Sequence, residues 1–265
     1  MTSNNPVFDA YSRYYDLLYR DKDYAHEIAY IDALLQRHEL IGPDLLEFSS
    51  GTGRHGRLLA ERGYRVTGIE RSAAMVAQAT AVPGFVCREG DICAVQLGRT
   101  FAAVLPLFHV VSYQVTNAAV QAVFARAAEH LAPGGLFAFD VWYSPAVYTQ
   151  GPKVRIKRMA GEGVEITRLA EPLCLPNDNR VDVNYSLFVR DTLSGRVETL
   201  AETHPMRHFS LPELDLVGET AGFERLGTEE FLTGAAPSEA IWGLCVVLRK
   251  RLIKAVPAAR MGRCV

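Results

Sequence analysis

Several features that would place this chain in a specialised class are missing from its sequence. It has no apolar run of about 20 residues, the length that a membrane-spanning helix needs. Residues 1–6 are polar rather than basic and apolar, so we expect no signal peptide. The five cysteines are scattered without Cys-x-x-Cys spacing, which favours free thiols over disulfides or a metal site. We therefore expect no membrane partner and a reducing, cytoplasmic location.

An excess of positive charge is also missing. The chain has 28 Lys and Arg against 30 Asp and Glu, a formal net charge of −2. Nucleic-acid binding needs a basic face, so we expect no nucleic-acid partner and a small-molecule substrate instead. With 265 residues, 49% of them apolar, the chain fits one domain with a substantial insertion or two small domains.

Residues 44–70 have the pattern of a strand, a tight turn, a helix and a second strand. Residues 45–48 form a short apolar run that includes Glu47, and Gly51, Gly53 and Gly56 follow as Gly-x-Gly-x-x-Gly. The second strand, residues 65–69, ends on Glu70. In such units the glycines let the backbone approach a nucleoside ligand, and the acid accepts hydrogen bonds from ribose hydroxyls. The pattern therefore predicts a nucleoside-binding site.

Strand and helix patterns alternate through most of the first half of the chain. Predicted strands cover residues 45–48, 65–69, 85–88, 101–107 and 136–141, and predicted helices cover 24–37, 54–62 and 117–131. The run 101–107 is almost wholly apolar, as expected for a parallel strand buried on both faces. This alternation predicts an α/β fold with a doubly wound, mostly parallel sheet, which binds ligands beyond the carboxyl ends of its strands.

After residue 144 the period changes to about two. Segments 153–158, 164–172, 180–190 and 196–206 alternate between apolar and polar residues, which predicts an inserted antiparallel sheet. A helix over 211–221 and strands over 223–231 and 241–248 would then return to the main sheet. The predicted units are a cofactor-binding domain (1–143 and 208–250), an insertion serving as substrate lid or dimer surface (144–207) and a frayed tail (251–265). A homodimer is therefore among our expectations.

Two acids help to identify the ligand. Glu47 comes directly before the glycine turn, where a carboxylate would repel a pyrophosphate and suits an ammonium or sulfonium group. Asp91 follows the third predicted strand and suits the amino group of an adenine. Both features argue against a nicotinamide-dependent oxidoreductase.

With these residues the sequence resembles class I S-adenosylmethionine-dependent methyltransferases. Their motif Glu/Asp-x-Gly-x-Gly-x-Gly matches residues 47–53, with Ser49 in place of the first glycine, and their Leu-x-Pro-Gly-Gly turn matches residues 131–135. The resemblance implies a Rossmann-like, seven-stranded sheet and S-adenosyl-L-methionine as cofactor. The cofactor-binding candidates are Tyr15, Tyr19, Glu47, Ser49, Gly51, Gly53, Glu70, Arg71, Met75, Asp91, Ile92 and Leu107.

Beyond this core the order of motifs resembles bacterial methyltransferases that act on the amino group of nucleotide-linked deoxy-amino-sugars. Their Tyr-Asp-x-x-Tyr opening and their Met-Phe-Ser-Ser-x-Gly-His/Tyr, Glu-Pro-Trp and Ser/Thr-His motifs correspond to residues 15–24, 107–113, 140–142 and 203–204. Residues 237–244 lack the arginine of the family's Pro-Ser-Gly-Arg-Gly-Leu motif. We expect N-methylation of an amino-sugar, with O-methylation of a sugar or secondary metabolite as the alternative. An oxidoreductase and a catalytically inactive cofactor-binding module are the remaining alternatives.

An amine acceptor must lose a proton, and we predict three candidates to accept it: Tyr113, His109 and His204. A water molecule is a further candidate, and either histidine could instead be structural. The predicted wall of the acceptor site consists of Tyr24, Tyr113, Trp142 and Tyr143. We expect no metal, because His204 and His208 lack a third ligand, and we expect His55 to face solvent.

Overall fold

The computed structural model describes residues 11–161 and 163–252, and within them the chain forms one continuous mixed sheet. Its parallel strands are β1 (Asp44–Phe48), β2 (Arg65–Glu70), β3 (Phe85–Glu89), β4 (Phe101–Leu105) and β5 (Leu131–Tyr143). Two further strands, β10 (Phe223–Glu230) and β11 (Gly243–Lys250), complete the central region. The order is β3-β2-β1-β4-β5-β11-β10, with β11 antiparallel to both of its neighbours. The predicted doubly wound, mostly parallel sheet is confirmed.

Seven α-helices in the described residues accompany the sheet. They are α1 (Tyr15–Leu18), α2 (Tyr24–Arg37), α3 (Arg54–Glu61), α4 (Ala73–Gln78), α5 (Asn117–His130), α6 (Ser144–Gln150) and α7 (Leu211–Thr220). Helices α2 and α3 bury apolar side chains on one face of the sheet, and α5 and α7 do so on the other. Both faces are therefore covered, which explains the continuous apolar sequence of β4. No described helix is long and apolar enough to cross a membrane.

The inserted segment contains four antiparallel strands. They are β6 (Arg155–Gly161), β7 (Val164–Leu175), β8 (Arg180–Asp191) and β9 (Val197–Phe209). The inner face of this sheet packs on α1, where Leu17 and Leu18 contact Ile166 and Leu187. At its end β9 pairs in parallel with β5, so the inserted strands extend the central sheet.

Two predicted boundaries differ from the structure near the site. Strand β4 ends at Leu105 rather than at residue 107, because Pro106 has no backbone N–H to continue the pairing. Strand β5 begins at Leu131 and so includes the predicted Pro133–Gly135 turn. The turn shifts the register of the pairing between β5 and β4. A Cβ on Gly135 would lie 2.9 Å from the Ala132 carbonyl oxygen, so only glycine fits there. The predicted frayed tail lies outside the described residues from position 253 onward.

Candidate active site

A cavity of about 910 Å³ opens at the carboxyl ends of the parallel strands. Its volume is at the upper end of the roughly 300–1,000 Å³ of small-molecule sites, which leaves space for a cofactor and an acceptor. The predicted site residues that line it are Tyr15, Tyr24, Ser49, Gly51, Glu70, Arg71, Met75, Asp91, Ile92, Leu107 and Tyr113. The predicted residues that do not line this cavity are Tyr19, Glu47, Gly53, His109, His204, Trp142 and Tyr143.

The turn after β1 is held by the carboxylate at the end of β2. Glu70 Oε2 accepts a hydrogen bond from the Gly51 N–H at 3.0 Å, and Oε1 accepts one from the Ser72 N–H at 2.8 Å. A Cβ added to Gly51 would meet no atom within 4 Å, so the backbone is open to a ligand there. Glu70 therefore joins the glycine turn to the start of α4, and its remaining lone pairs are available to hydroxyl donors.

Ser49 has an unfavourable backbone conformation. Its φ is 55°, in the left-handed region where a side chain meets the following carbonyl oxygen. Gly51 and Gly53 in the same turn also have positive φ, at 56° and 76°. The turn therefore needs glycine geometry at three positions, and at Ser49 the sequence meets this need with a strained serine. This explains why the methyltransferase motif has glycine at the corresponding position.

Glu47 lies beneath the turn. Its side chain is 1% exposed and accepts a hydrogen bond from the Ser50 hydroxyl. Burial, assisted by the nearby charge of Glu70, raises the pKa of Glu47 to about 8. The carboxyl group is thus largely protonated at neutral pH in the chain alone. A cation placed above it would favour its ionised form.

A buried polar cluster next to the cavity was not predicted from the sequence. His55 was expected to face solvent, but this was wrong, since it is only 8% exposed where α2 covers α3. His55 Nε2 lies 2.8 Å from Glu27 Oε2, which also contacts Lys22 Nζ at 2.6 Å. Burial lowers the pKa of His55, and Glu27 offsets only part of that effect. Burial also lowers the pKa of Lys22, against the opposing influence of Glu27.

His109 interacts with a carboxylate rather than with the cavity. Its Nδ1 atom lies 2.7 Å from Asp140 Oδ2, and its ring contacts the edge of Trp142 at a centroid distance of 6.2 Å. Burial disfavours the charged form of Asp140, but the nearby His109 and Lys22 and the hydrogen bond from the His109 N–H lower its pKa. The contact between His109 and Asp140 therefore lies within the loop and its support, behind the cavity wall.

Tyr113 and His204 are brought together although 91 positions separate them. Tyr113 Oη lies 3.0 Å from His204 Nδ1, and His204 Nε2 lies 2.9 Å from Glu202 Oε1. Tyr113 lines the cavity, while His204 and Glu202 are 2% and 8% exposed behind it. The sequence did not predict Glu202 as a site residue. The only signal for it is an acidic residue at an inward-facing position of β9. His208 is separate from this group, since its Nδ1 lies 2.8 Å from the Ser144 hydroxyl.

The other aromatic candidates pack beside the cavity rather than on its wall. Trp142 meets the edge of Trp242 at 5.3 Å and joins an apolar cluster with Val181 and Met206. Tyr143 packs against the main core, and Tyr19 contacts Phe108 edge-on at 5.1 Å. These residues therefore support the site through packing.

The loop that lacks the family's arginine is fixed by other contacts. The Glu239 side chain accepts a hydrogen bond from the Thr149 hydroxyl at 3.3 Å, and the Glu239 carbonyl accepts one from Gln150 at 2.7 Å. Trp242 Nε1 also donates to Gln150, at 3.1 Å. This loop presents a carboxylate to α6. Arg54 and Arg71 are the arginines that line the cavity among the described residues.

Known proteins resemble the chain in both sequence and structure. Residues 45–135 match a family model described as "Methyltransferase domain". The chain is 33% identical to the dTDP-3-amino-3,6-dideoxy-alpha-D-glucopyranose N,N-dimethyltransferase of Streptomyces fradiae, over 86% of this chain and 88% of the relative. It is 30% identical to the dTDP-4-amino-2,3,4,6-tetradeoxy-D-glucose N,N-dimethyltransferase of Saccharopolyspora spinosa, over 83% and 86%. The S-adenosylmethionine-bound amino pentose methyltransferase of Micromonospora echinaspora superimposes with a TM-score of 0.73 at 26% identity, over 93% and 98%.

Replacing Ser49 with glycine should stabilise the chain. Relief of the left-handed strain contributes roughly 1–2 kcal/mol, and the greater freedom of glycine in the unfolded chain offsets about 0.5–1 kcal/mol of it. We expect a net gain of about 1 kcal/mol, seen as a Tm increase of about 2–4 °C for a chain of this length. The matched control is Ser49→Ala, which removes the hydroxyl but keeps the strain. An equal gain in both variants would contradict the backbone explanation.

The buried carboxyl of Glu47 predicts a pH dependence of stability. Its pKa is raised in the fold, from an ordinary 4.5 to about 8. Its stabilising contribution is therefore complete below pH 4.5 and is lost as the pH rises through 8. Measured by denaturant unfolding, the free energy of unfolding of the wild type should fall as the pH rises through this window. The fall should be about 1.4 kcal/mol per pH unit steeper than that of Glu47→Gln. Exposed Glu61→Gln on the neighbouring helix is the control, and a wild-type slope in Glu47→Gln would refute the assignment.

Proposed function

Because the chain belongs to the S-adenosylmethionine-dependent methyltransferases, we propose that it methylates the amino group of a nucleotide-linked amino sugar. The two relatives described above act on dTDP-linked amino sugars and align with more than four fifths of this chain. The observation that carries the proposal is Tyr113, which lies on the cavity wall with His204 and Glu202 behind it. An amine acceptor requires such a route for its proton.

The residues of the cavity fit S-adenosylmethionine. Carboxylates of Glu70 and Asp91 line it, and the buried apolar side chains of Met75 and Ile92 lie next to them. We propose that Glu70 accepts the ribose hydroxyls and Asp91 the adenine amino group, while the open backbone at Gly51 receives the methionine end. When bound, S-adenosylmethionine supplies an electrophilic methyl group on a sulfonium.

The chain's own residues would align the acceptor and remove its proton. Glu202 accepts the Nε2 proton of His204, which leaves Nδ1 as an acceptor for the Tyr113 hydroxyl. In the proposed relay the amine proton passes to Tyr113 Oη while the tyrosine proton passes to His204 Nδ1. Glu202 then stabilises the imidazolium that results. The relay uses one proton in each step and leaves the methylated amine neutral.

Methyl transfer can be tested with dTDP-3-amino-3,6-dideoxyglucose and its 3-hydroxy analogue as acceptors, with product masses measured. We expect methylation of the amine alone. Tyr113→Phe keeps the ring but breaks the proton route, so kcat should fall by about 10²–10⁴-fold with little change in KM. Exposed Tyr148→Phe is the control. Methylation of the hydroxy analogue alone would establish an O-methyltransferase instead, and full activity in Tyr113→Phe would remove the relay.

We also propose that residues 144–207 act as a unit whose inner face borders the cavity and whose outer face forms a homodimer. On the inner face, His204 of β9 contacts Tyr113, which lines the cavity. The strand register places Ile156, Leu173 and Phe188 together on the outer face, where they are 57%, 55% and 41% exposed. Four strands of this length cover roughly 700 Å², close to the ~800 Å² per partner of a stable interface.

The dimer can be tested by light scattering after size exclusion. The wild type should elute with twice the mass of one chain, and the double variant Ile156→Glu with Phe188→Glu should be monomeric, because the interface would bury unpaired charges. Leu216→Glu changes an exposed apolar residue on α7 and should stay dimeric. A monomeric wild type at micromolar concentration would rule out this interface.

We propose a cytoplasmic location for this reaction. The described cysteines Cys87, Cys93, Cys174 and Cys245 are all free thiols. Burial raises the pKa of Cys93 to about 11, so this thiol beside the cavity stays protonated and weakly nucleophilic. A reducing compartment preserves thiols of this kind.

A further inference from the structure

The loop after β4 contains two consecutive residues with left-handed backbone angles that are not glycine. Phe108 has a φ of 68° and His109 a φ of 61°. Bulky residues rarely adopt this conformation, and it persists only where the surroundings impose it. Phe108 lines the cavity, so the strained turn belongs to the site itself.

A single buried carboxylate binds both residues of this turn. Asp140, near the carboxyl end of β5, is 1% exposed. Its Oδ1 accepts a hydrogen bond from the Phe108 N–H at 2.7 Å, and its Oδ2 accepts one from the His109 N–H at 3.0 Å. The His109 ring lies 2.7 Å from the same Oδ2 atom. Both N–H groups of the strained turn therefore converge on one side chain.

The turn is connected to two other parts of the structure. The Phe108 ring lies 3.7 Å below the Lys22 ammonium and contacts Tyr19 edge-on. The His109 carbonyl accepts a hydrogen bond from Ser112 at 2.9 Å and so starts the 3₁₀ turn Val110–Tyr113. A shift of the turn would therefore move both Phe108 and Tyr113.

We propose that Asp140 is a positioning residue for methyl transfer, whose carboxylate imposes the left-handed turn at Phe108 and His109 and thereby places Tyr113 against the acceptor. The inference rests on the proposed function, since Tyr113 acts there on the acceptor amine. Asp140 does not line the cavity and acts through the loop that it holds.

The first variant is Asp140→Asn, which keeps the shape, removes the charge and sets an NH₂ group against one backbone donor. A misplacement of about 1 Å costs on the order of 10²-fold in rate, so we expect a fall in kcat of that size. The affinity for S-adenosylmethionine should fall much less than kcat, because Gly51, Glu70 and Asp91 lie elsewhere and only Leu107 among the proposed cofactor residues adjoins this turn. Asp215→Asn, which breaks an ion pair with Arg225 on the surface, is the control. An unchanged kcat in Asp140→Asn would overturn the proposal.

A second comparison separates positioning from general stabilisation. Glycine adopts positive φ without strain, so His109→Gly should hold the turn with less help from Asp140. The fold-loss in kcat caused by Asp140→Asn should therefore be smaller in the His109→Gly background than in the wild type. An equal loss in both backgrounds, accompanied by a matching fall in Tm, would show a purely structural role.

A readout without turnover keeps this test independent of the acceptor. Both tryptophans of the chain lie near the loop, with Trp142 next to His109 and Trp242 against Trp142. Tryptophan emission of Asp140→Asn should shift in the absence of any ligand, whereas that of Asp215→Asn should not. No shift would overturn the positioning role. Absence of transfer to amino sugars by the wild type would instead refute the proposed function while leaving this measurement valid.

Discussion

The walls of the cavity depend on buried carboxylates that accept hydrogen bonds from neighbouring backbone N–H groups. Glu70 at the end of β2 holds the glycine turn after β1, and Asp140 near the end of β5 holds the turn after β4. In both cases an acid on one parallel strand fixes the loop that leaves the adjacent strand. Parallel strands bring their carboxyl ends to the same edge of the sheet, which places an acid on one strand beside the loop that leaves its neighbour. The sheet thus supplies the supports of the site as well as its location.

These supports allow backbone geometry that the loop sequences alone disfavour. Ser49, Phe108 and His109 all have positive φ without being glycine, and all lie in loops that border the cavity. Strained residues of this kind gather at functional sites because a fixed geometry is needed there more than stability. The fold compensates with a continuous apolar core on both faces of the sheet.

Local features of the site were predictable from the sequence, whereas contacts between distant segments were not. The turn between β1 and α3 follows from glycine spacing and short apolar runs, and the inserted strands follow from their period of two. The roles of Glu27 and Glu202 depend on partners that only the folded chain supplies: His55 for one and His204 for the other. The solvent-facing prediction for His55 failed because the pattern within α3 does not reveal that α2 covers it.

The parallel pairing of β9 with β5 has a mechanical consequence. Trp142 and Tyr143 pair with His208 and Phe209, so the inserted strands belong to the same eleven-stranded sheet as the central ones. Because the strands are joined by hydrogen bonds, a displacement of β9 would also displace the end of β5, which carries Trp142. Helix α1 lies outside this sheet: it packs on the inner face of the inserted strands and places Tyr15 on the cavity wall.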